Sequence, residues 1–170
     1  MPHVFQEVHD QLAQMDLGIP PGKILNVGAG RRADWAKACQ RFKGRDIIQT
    51  DMLPHEGLDR VADAENLPFD DGIFAGVFSI AMLEHVRHPW IAFREMARVL
   101  MPGGLLLIIA PWIWEYHKAP VDYWRFHTTA YPILAEGTGL AIMKTGFFSP
   151  THVKHERTGF IDSWAVLRKG

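Results

Sequence analysis

The chain has 170 residues, enough for one domain, and a hydrophobic content of 48% is enough to bury a core. A formal charge of −1 argues against a protein built mainly to grip nucleic acid, and a single cysteine, Cys39, excludes a disulfide framework or a cysteine-based zinc site. No apolar leader opens the sequence, and the longest greasy run, residues 105–114, is broken by Pro111 and too short for a membrane span, so a soluble cytoplasmic protein is expected.

Residues 3–16 place Phe5, Val8, Leu12 and Met15 at helical spacing, and Gly18 with Pro20-Pro21 stops that helix. "KILNV" (23–27) is a short apolar run bounded by turn residues, which predicts a buried strand. Residues 32–43 carry Trp35, Ala38, Cys39 and Phe42 on one helical face, and "DIIQTD" (46–51) reads as a second strand. "GLDRVAD" (57–63) has room for a short strand, and "IFAGVFSI" (73–80) follows the Asp70-Asp71-Gly72 turn as another. A helix is expected over 89–100, with Pro89 at its first position and Trp90, Phe93, Ala97 and Leu100 on its apolar face. "PGG" (102–104) ends it, and "LLLIIA" is the clearest strand in the chain. A further helix is expected over 128–137, then two late strands, "LAIMKTGFF" and "SWAVLRK".

Strands alternating with helices, and apolar along their whole length, predict an α/β fold: one Rossmann-like, doubly wound, mostly parallel sheet. The last two strands have no helix between them, so the last strand is expected to run antiparallel at the edge. In such sheets ligands bind beyond the carboxyl ends of the strands, where strand order reverses. The first strand ends there in "NVGAGRR" (26–32), where Gly28 and Gly30 let the backbone turn tightly against a ligand. Ala33 at the third position of a G-x-G-x-x-G/A pattern leaves a dinucleotide open, as does Asp51, placed to hold ribose hydroxyls about 20 residues on. "ADAENLPF" (62–69) separates the two: it suits a loop that hydrogen-bonds an adenine edge, for which a nicotinamide enzyme has no particular use.

These segments resemble the class I S-adenosylmethionine-dependent methyltransferases of the methyltransferase type 11 sort. The likeness runs over residues 22–148, through "ILNVGAG", "QTD", "ADAENLPFDDGIFAGVFSIAMLEHV" and "PWIAFREMARVLMPGGLLLIIAP". It implies S-adenosylmethionine as cofactor. Gly28, Ala29 and Gly30 would line its methionine and ribose, Asp51 would hold the ribose diol, and Met52 would pack on the adenine. Asp63 would accept from the adenine amino group, the Ala64 amide would donate to the ring, and Ile80 and Ala81 would offer carbonyls to the ammonium. Asn26 stands where the family usually has aspartate, which implies weaker cofactor binding, and Arg31 would pair the methionine carboxylate.

Nine histidines invite a metal reading, but none has paired-cysteine or H-E-x-x-H spacing, and no metal is expected. The segment "HKAPVDYWRFH" (117–127) follows the fifth strand and emerges at the same carboxyl edge. It is expected to form the substrate-facing wall, with Trp112, Tyr116, Asp122, Tyr123 and Arg125 as substrate contacts; Arg125 has the alternative of bracing the loop through Asp122 or Glu115. His117, then His127, then His85 are the candidate general bases, since imidazole titrates near neutral pH.

The resulting expectation is one domain: an N-terminal helical segment (1–20), a cofactor-binding half (22–110), a substrate-facing loop (111–127) and a C-terminal helix with edge strands (128–170). It would methylate a small-molecule or saccharide-like acceptor, on oxygen by analogy with similar "DYWRF" segments. N-methylation, a nicotinamide oxidoreductase and an inactive cofactor-binding scaffold are the alternatives. "SIAM" stands where a DNA adenine methyltransferase carries an acidic-proline-aromatic motif, so DNA methylation is not expected. No lid domain is inserted, so a homodimer partner is one way of closing the site.

Overall fold

The computed structural model describes residues 17–30, 44–118, 120–148 and 161–170. The helices expected over 3–16 and 32–43 lie outside the described residues. Seven strands form one sheet in the order β3-β2-β1-β4-β5-β7-β6: β1 Lys23–Val27, β2 Ile47–Asp51, β3 Arg60–Val61, β4 Phe74–Ile80, β5 Leu100–Ile113, β6 Leu140–Phe148 and β7 Ile161–Lys169. The first five run parallel, and β7 runs antiparallel to both β5 and β6. The last strand is therefore the antiparallel one; it belongs to the terminal pair, one place inside the outermost strand β6.

Both faces of the central strands are buried, which is why they read as unbroken apolar runs. Leu25, Val27, Val77, Leu106 and Ile108 face one core, while Ile24, Phe78, Leu105, Leu107 and Ile109 face the other. Helix α1 (Pro89–Val99) packs Ala92, Phe93, Met96 and Ala97 on the first core. Trp90 lies on the other side of that helix, half exposed and edge-on to His88 and Trp124, contrary to its expected place on the apolar face. Buried residues at i, i+1, i+4 and i+5 define a stripe that excludes the second position. "PGG" is a bulge rather than a stop: β4 pairs Phe74 with Leu100 and then Gly76 with Leu105, so residues 101–104 loop out within β5.

Helix α2 (Ala130–Ala135) is anchored by Tyr131, fully buried, whose hydroxyl meets Ser163 Oγ of β7 at 2.7 Å. Ser163 in turn donates to the Phe126 carbonyl at 2.6 Å, tying the end of the 111–127 loop to the sheet. Arg98 on α1 holds the loop after β3: it donates to the Leu67 and Phe69 carbonyls and pairs with Asp71 and Glu95, while Glu95 accepts from the Leu67 amide. Glu65 of the same loop accepts the His88 amide at the start of α1. The 62–71 segment is thereby fixed against a helix.

Candidate functional site

Strand order reverses at β1, which has β2 on one side and β4 on the other, and a cleft of about 210 Å³ opens at the carboxyl ends of these strands. Its wall begins with Val27, Gly28 and Gly30, continues through Asp51, Met52 and Leu53, and closes with Ala62, Ala64, Ala81, Met82, His85, Val86 and Pro120. Gly28 sits at φ +73°, where a side chain is strained, and Met82 fills the space a Cβ would need. Asp51 shapes the same turn: its Oδ2 accepts the Gly30 amide and its Oδ1 the Leu53 amide, each at 3.0 Å. Ala81 has φ +49°, the one left-handed non-glycine among the described residues, and its amide is held by the Ile109 carbonyl at 2.9 Å. Strained backbone of this kind persists where surrounding structure over-determines it, commonly at ligand sites.

A second cleft adjoins the first and shares Met52, His85, Val86 and Pro120 with it. Asp63, Glu65, Arg87, His88, Val121 and Tyr123 complete it. Asp63 is exposed there, its Oδ1 accepting the Glu65 amide in a tight turn, and Ala64 is buried beside it.

The 111–127 loop is braced from within. Asp122, almost wholly buried, takes a two-pronged pair from Arg125, one arm at 2.7 Å, and accepts the His117 amide at 2.9 Å. That guanidinium holds the Asp122 carboxyl far below the usual carboxylate range. Arg125 also donates to the Trp114, Glu115 and Trp124 carbonyls, so its planar fork closes the loop on itself.

Between loop and cleft lies a group not anticipated from sequence. Glu84, in the single turn Leu83–His85, is 1% exposed, and its Oε1 lies 3.7 Å from His85 Nε2 and 3.9 Å from His117 Nε2. Burial pushes its carboxyl up to about 8, and burial also lowers the His85 imidazole. The two rings meet edge-to-face at 5.1 Å. Glu84 could have been suspected as a carboxylate between Leu83 and His85 immediately beyond a buried strand.

Of the residues expected to hold a cofactor, Gly28, Gly30, Asp51, Met52, Ala64 and Ala81 line the first cleft and Asp63 the second. Ala29 contributes backbone, its amide bonded to the Thr50 carbonyl. Ile80 packs against the second core. Asn26 is buried behind the turn, donating to Gln49 Oε1 across the β1–β2 register. Arg31 lies outside the described residues. Among the candidate bases, His85 lines both clefts and His117 stands beside it. His127 is placed elsewhere, against Trp112 at 4.7 Å and Phe147 at 5.3 Å, with Thr129 on its Nδ1. Tyr123 borders the second cleft, and Tyr116 is 65% exposed, lining neither.

Asp162 of β7 lies buried near this group and faces the Trp114 indole; burial pushes its carboxyl up to about 6 from 3.8. The folded state therefore holds that proton more tightly than the unfolded chain. Its stabilising contribution is complete below pH 3.8 and is lost as pH rises through about 6. Asp162→Asn is expected to stabilise the fold at pH 8, by about 2 kcal/mol, and to leave it little changed at pH 4. Thermal melts at the two pH values check this, and equal shifts at both would contradict it.

A family model described as "Methyltransferase domain" matches residues 25–108. A ubiquinone/menaquinone biosynthesis C-methyltransferase of Laribacter hongkongensis is 33% identical over 137 residues, covering 70% of this chain and 55% of that protein. The methyltransferase GfsG of Streptomyces halstedii is 32% identical over 149 residues, covering 72% and 54%. The chain thus spans about half the length of these curated relatives. Among solved structures, a 1,6-didemethyltoxoflavin-N1-methyltransferase of Burkholderia thailandensis, with S-adenosylhomocysteine bound, superposes with a TM-score of 0.74 at 16% identity, over 98% of this chain and 79% of that one. At that identity the likeness is one of fold.

Proposed function

The chain belongs to the class I S-adenosylmethionine-dependent methyltransferases, and on that premise we propose that it methylates a small-molecule acceptor, on oxygen, at the His85 end of the two adjoining clefts. The observation that carries the proposal is the cleft itself: a side-chain-free glycine turn, a strand-end carboxylate and an apolar floor, ending at an imidazole.

The residues present suit the cofactor. Gly28 and Gly30 leave backbone free to approach its methionine and ribose, and Asp51 keeps lone pairs for a diol beyond the two amides it already accepts. Met52 and Leu53 offer apolar surface to the adenine, with Asp63 and the Ala64 amide at its edge. The Ile80 and Ala81 carbonyls are assigned to the ammonium, Arg31 to the carboxylate, and Asn26 to support of the turn from behind. When bound, the sulfonium supplies a methyl group already activated for in-line displacement.

What remains for this chain is alignment, exclusion of water and removal of one proton from the acceptor. His85 and His117 are assigned to that proton, and the braced loop with Tyr123 to the acceptor's position. Domain boundaries are proposed as a cofactor-binding half over 22–110 with the acceptor wall over 111–127.

Titration calorimetry tests the reading. S-adenosylhomocysteine should bind one per chain, and Asp51→Ala should weaken it by about 1.5–3 kcal/mol, roughly 10- to 150-fold, as for a lost hydrogen bond to a charged group. Absence of heat with both S-adenosylmethionine and S-adenosylhomocysteine would sink the proposal.

A further inference from the structure

Glu84, His85 and His117 present one ligand atom each, and these atoms all lie within 4.8 Å of one another. The protonation pattern of the two rings is set by their outer nitrogens. His85 Nδ1 lies 2.7 Å from the Val121 carbonyl, which can only accept, so Nδ1 carries the proton and Nε2 is a bare lone pair. His117 Nδ1 faces two acceptors, the Glu115 carbonyl at 3.2 Å and Asp122 Oδ2 at 3.4 Å, so Nδ1 is the donor there too and Nε2 is the atom turned to the cluster. The two Nε2 atoms lie 3.7 and 3.9 Å from Glu84 Oε1, too far for hydrogen bonds. Glu84 Oε2 is buried with no hydrogen-bond partner among the described residues.

Three ligand-type atoms therefore converge without hydrogen bonds to one another, beside a buried Oε2 left without a partner among the described residues, an arrangement that a cation would complete. The outer nitrogens are arranged as in metal-ligating histidines, which donate their second N–H to a backbone carbonyl or carboxylate that fixes ring and tautomer. We propose that Glu84, His85 and His117 bind one divalent transition-metal ion, zinc or a close first-row neighbour. Two imidazoles and a carboxylate are the donor set such ions take when positions are left open for a further ligand. Ligand atoms around a tetrahedral zinc stand about 3.3 Å apart, given bonds of about 2.0 Å, so each side chain need close in by only about half an ångström. His117 is 38% exposed, giving the ion a way in, and His85 borders both clefts, so the open positions face the acceptor's end.

Metal binding stands without the methyl-transfer reading; with an ion bound the two imidazoles would serve as ligands instead of bases, and lowering the acceptor's proton affinity would fall to the ion, a role that does rest on that reading. The test uses the full chain, stripped with a chelator and dialysed. Co²⁺ titration followed by visible absorption, and Zn²⁺ competition against a chromophoric chelator, should give one ion per chain. Glu84→Gln and His117→Ala should each weaken it at least 30-fold, while His127→Ala, a histidine outside the cluster, leaves it unchanged. Near-ultraviolet circular dichroism confirms that each variant is folded, and the more exposed His117 carries the test if Glu84→Gln is not. No stoichiometric binding, or binding that survives both substitutions, overturns the proposal and leaves the three groups sharing protons or water. S-adenosylhomocysteine titrated into the same metal-free protein reports on the cofactor reading separately.

Discussion

Gly28→Ala is expected to reduce S-adenosylhomocysteine affinity more than 100-fold, a larger effect than any other single methyl group added to the cleft. Two terms add. The φ of +73° places an L-residue in the left-handed region, at about 1–2 kcal/mol. The added Cβ would also overlap Met82 Cγ and come within 2.6 Å of Met82 Cβ. Cβ is the rooted end of that side chain, so relief requires backbone movement next to strained Ala81, and overpacking of this kind typically adds about 1–3 kcal/mol. Because Met82 lines the cleft, the displacement falls where the cofactor would sit. Gly30→Ala is the control: it shares a positive φ of 60° but, among the described residues, has nothing within 4 Å of its Cβ, so the backbone term is the one that applies. Calorimetry on both variants, with thermal melts beside it, separates the effects. If Gly28→Ala binds within threefold of the parent, the turn is not where the cofactor rests.

Arg125→Ala is expected to lower stability by about 2–4 kcal/mol, because Asp122 loses its two-pronged charged partner and the loop loses the donor that closes it. Asp122 has 1% of its side chain exposed and no other cationic partner as close among the described residues, and Arg125 additionally holds three carbonyls of its own loop. For a chain of this size that corresponds to a fall of roughly 10 °C in melting temperature. Arg125→Lys should recover little, since an ammonium cannot reproduce the two-pronged pairing or the carbonyl contacts. Asp122→Ala combined with Arg125→Ala should cost less than the two singles together. A loss under 1 kcal/mol for Arg125→Ala would mean the loop is held by other contacts.

Some of this architecture was readable from residues alone. Strands Lys23–Val27 and Leu140–Phe148 emerge to the residue because each is a run rich in apolar residues closed by turn formers. The "PGG" bulge was not, since the same residues after a helical stretch stand equally for a helix stop; only pairing with Phe74 and Gly76 settles it. The cleft was legible in outline through glycine spacing and Asp51. Asn26 was harder: a strand buried on both faces carries no alternation to say which way a polar side chain turns. The histidines show the limit most plainly. His117 and His127 lie ten residues apart in one loop, yet Asp122–Arg125 turns the chain so that they face different neighbours. Glu84 escaped notice because a carboxylate beside a histidine looks solvated until the single turn that buries it is seen.

The position of β7 between β5 and β6 sets an order of events during synthesis. Strands β1 to β5 can pair as they leave the ribosome, but β6 is made before β7, the strand it borders among the described residues. It must wait, unpaired, for β7 to arrive and join both neighbours at once, and Ser163 on that late strand also locks Tyr131 and the Phe126 carbonyl. Until then the edge of β5 is open to pairing with other chains. Nascent chains stalled before residue 161 should therefore be the aggregation-prone ones, and their release the moment at which the 111–127 loop acquires its shape.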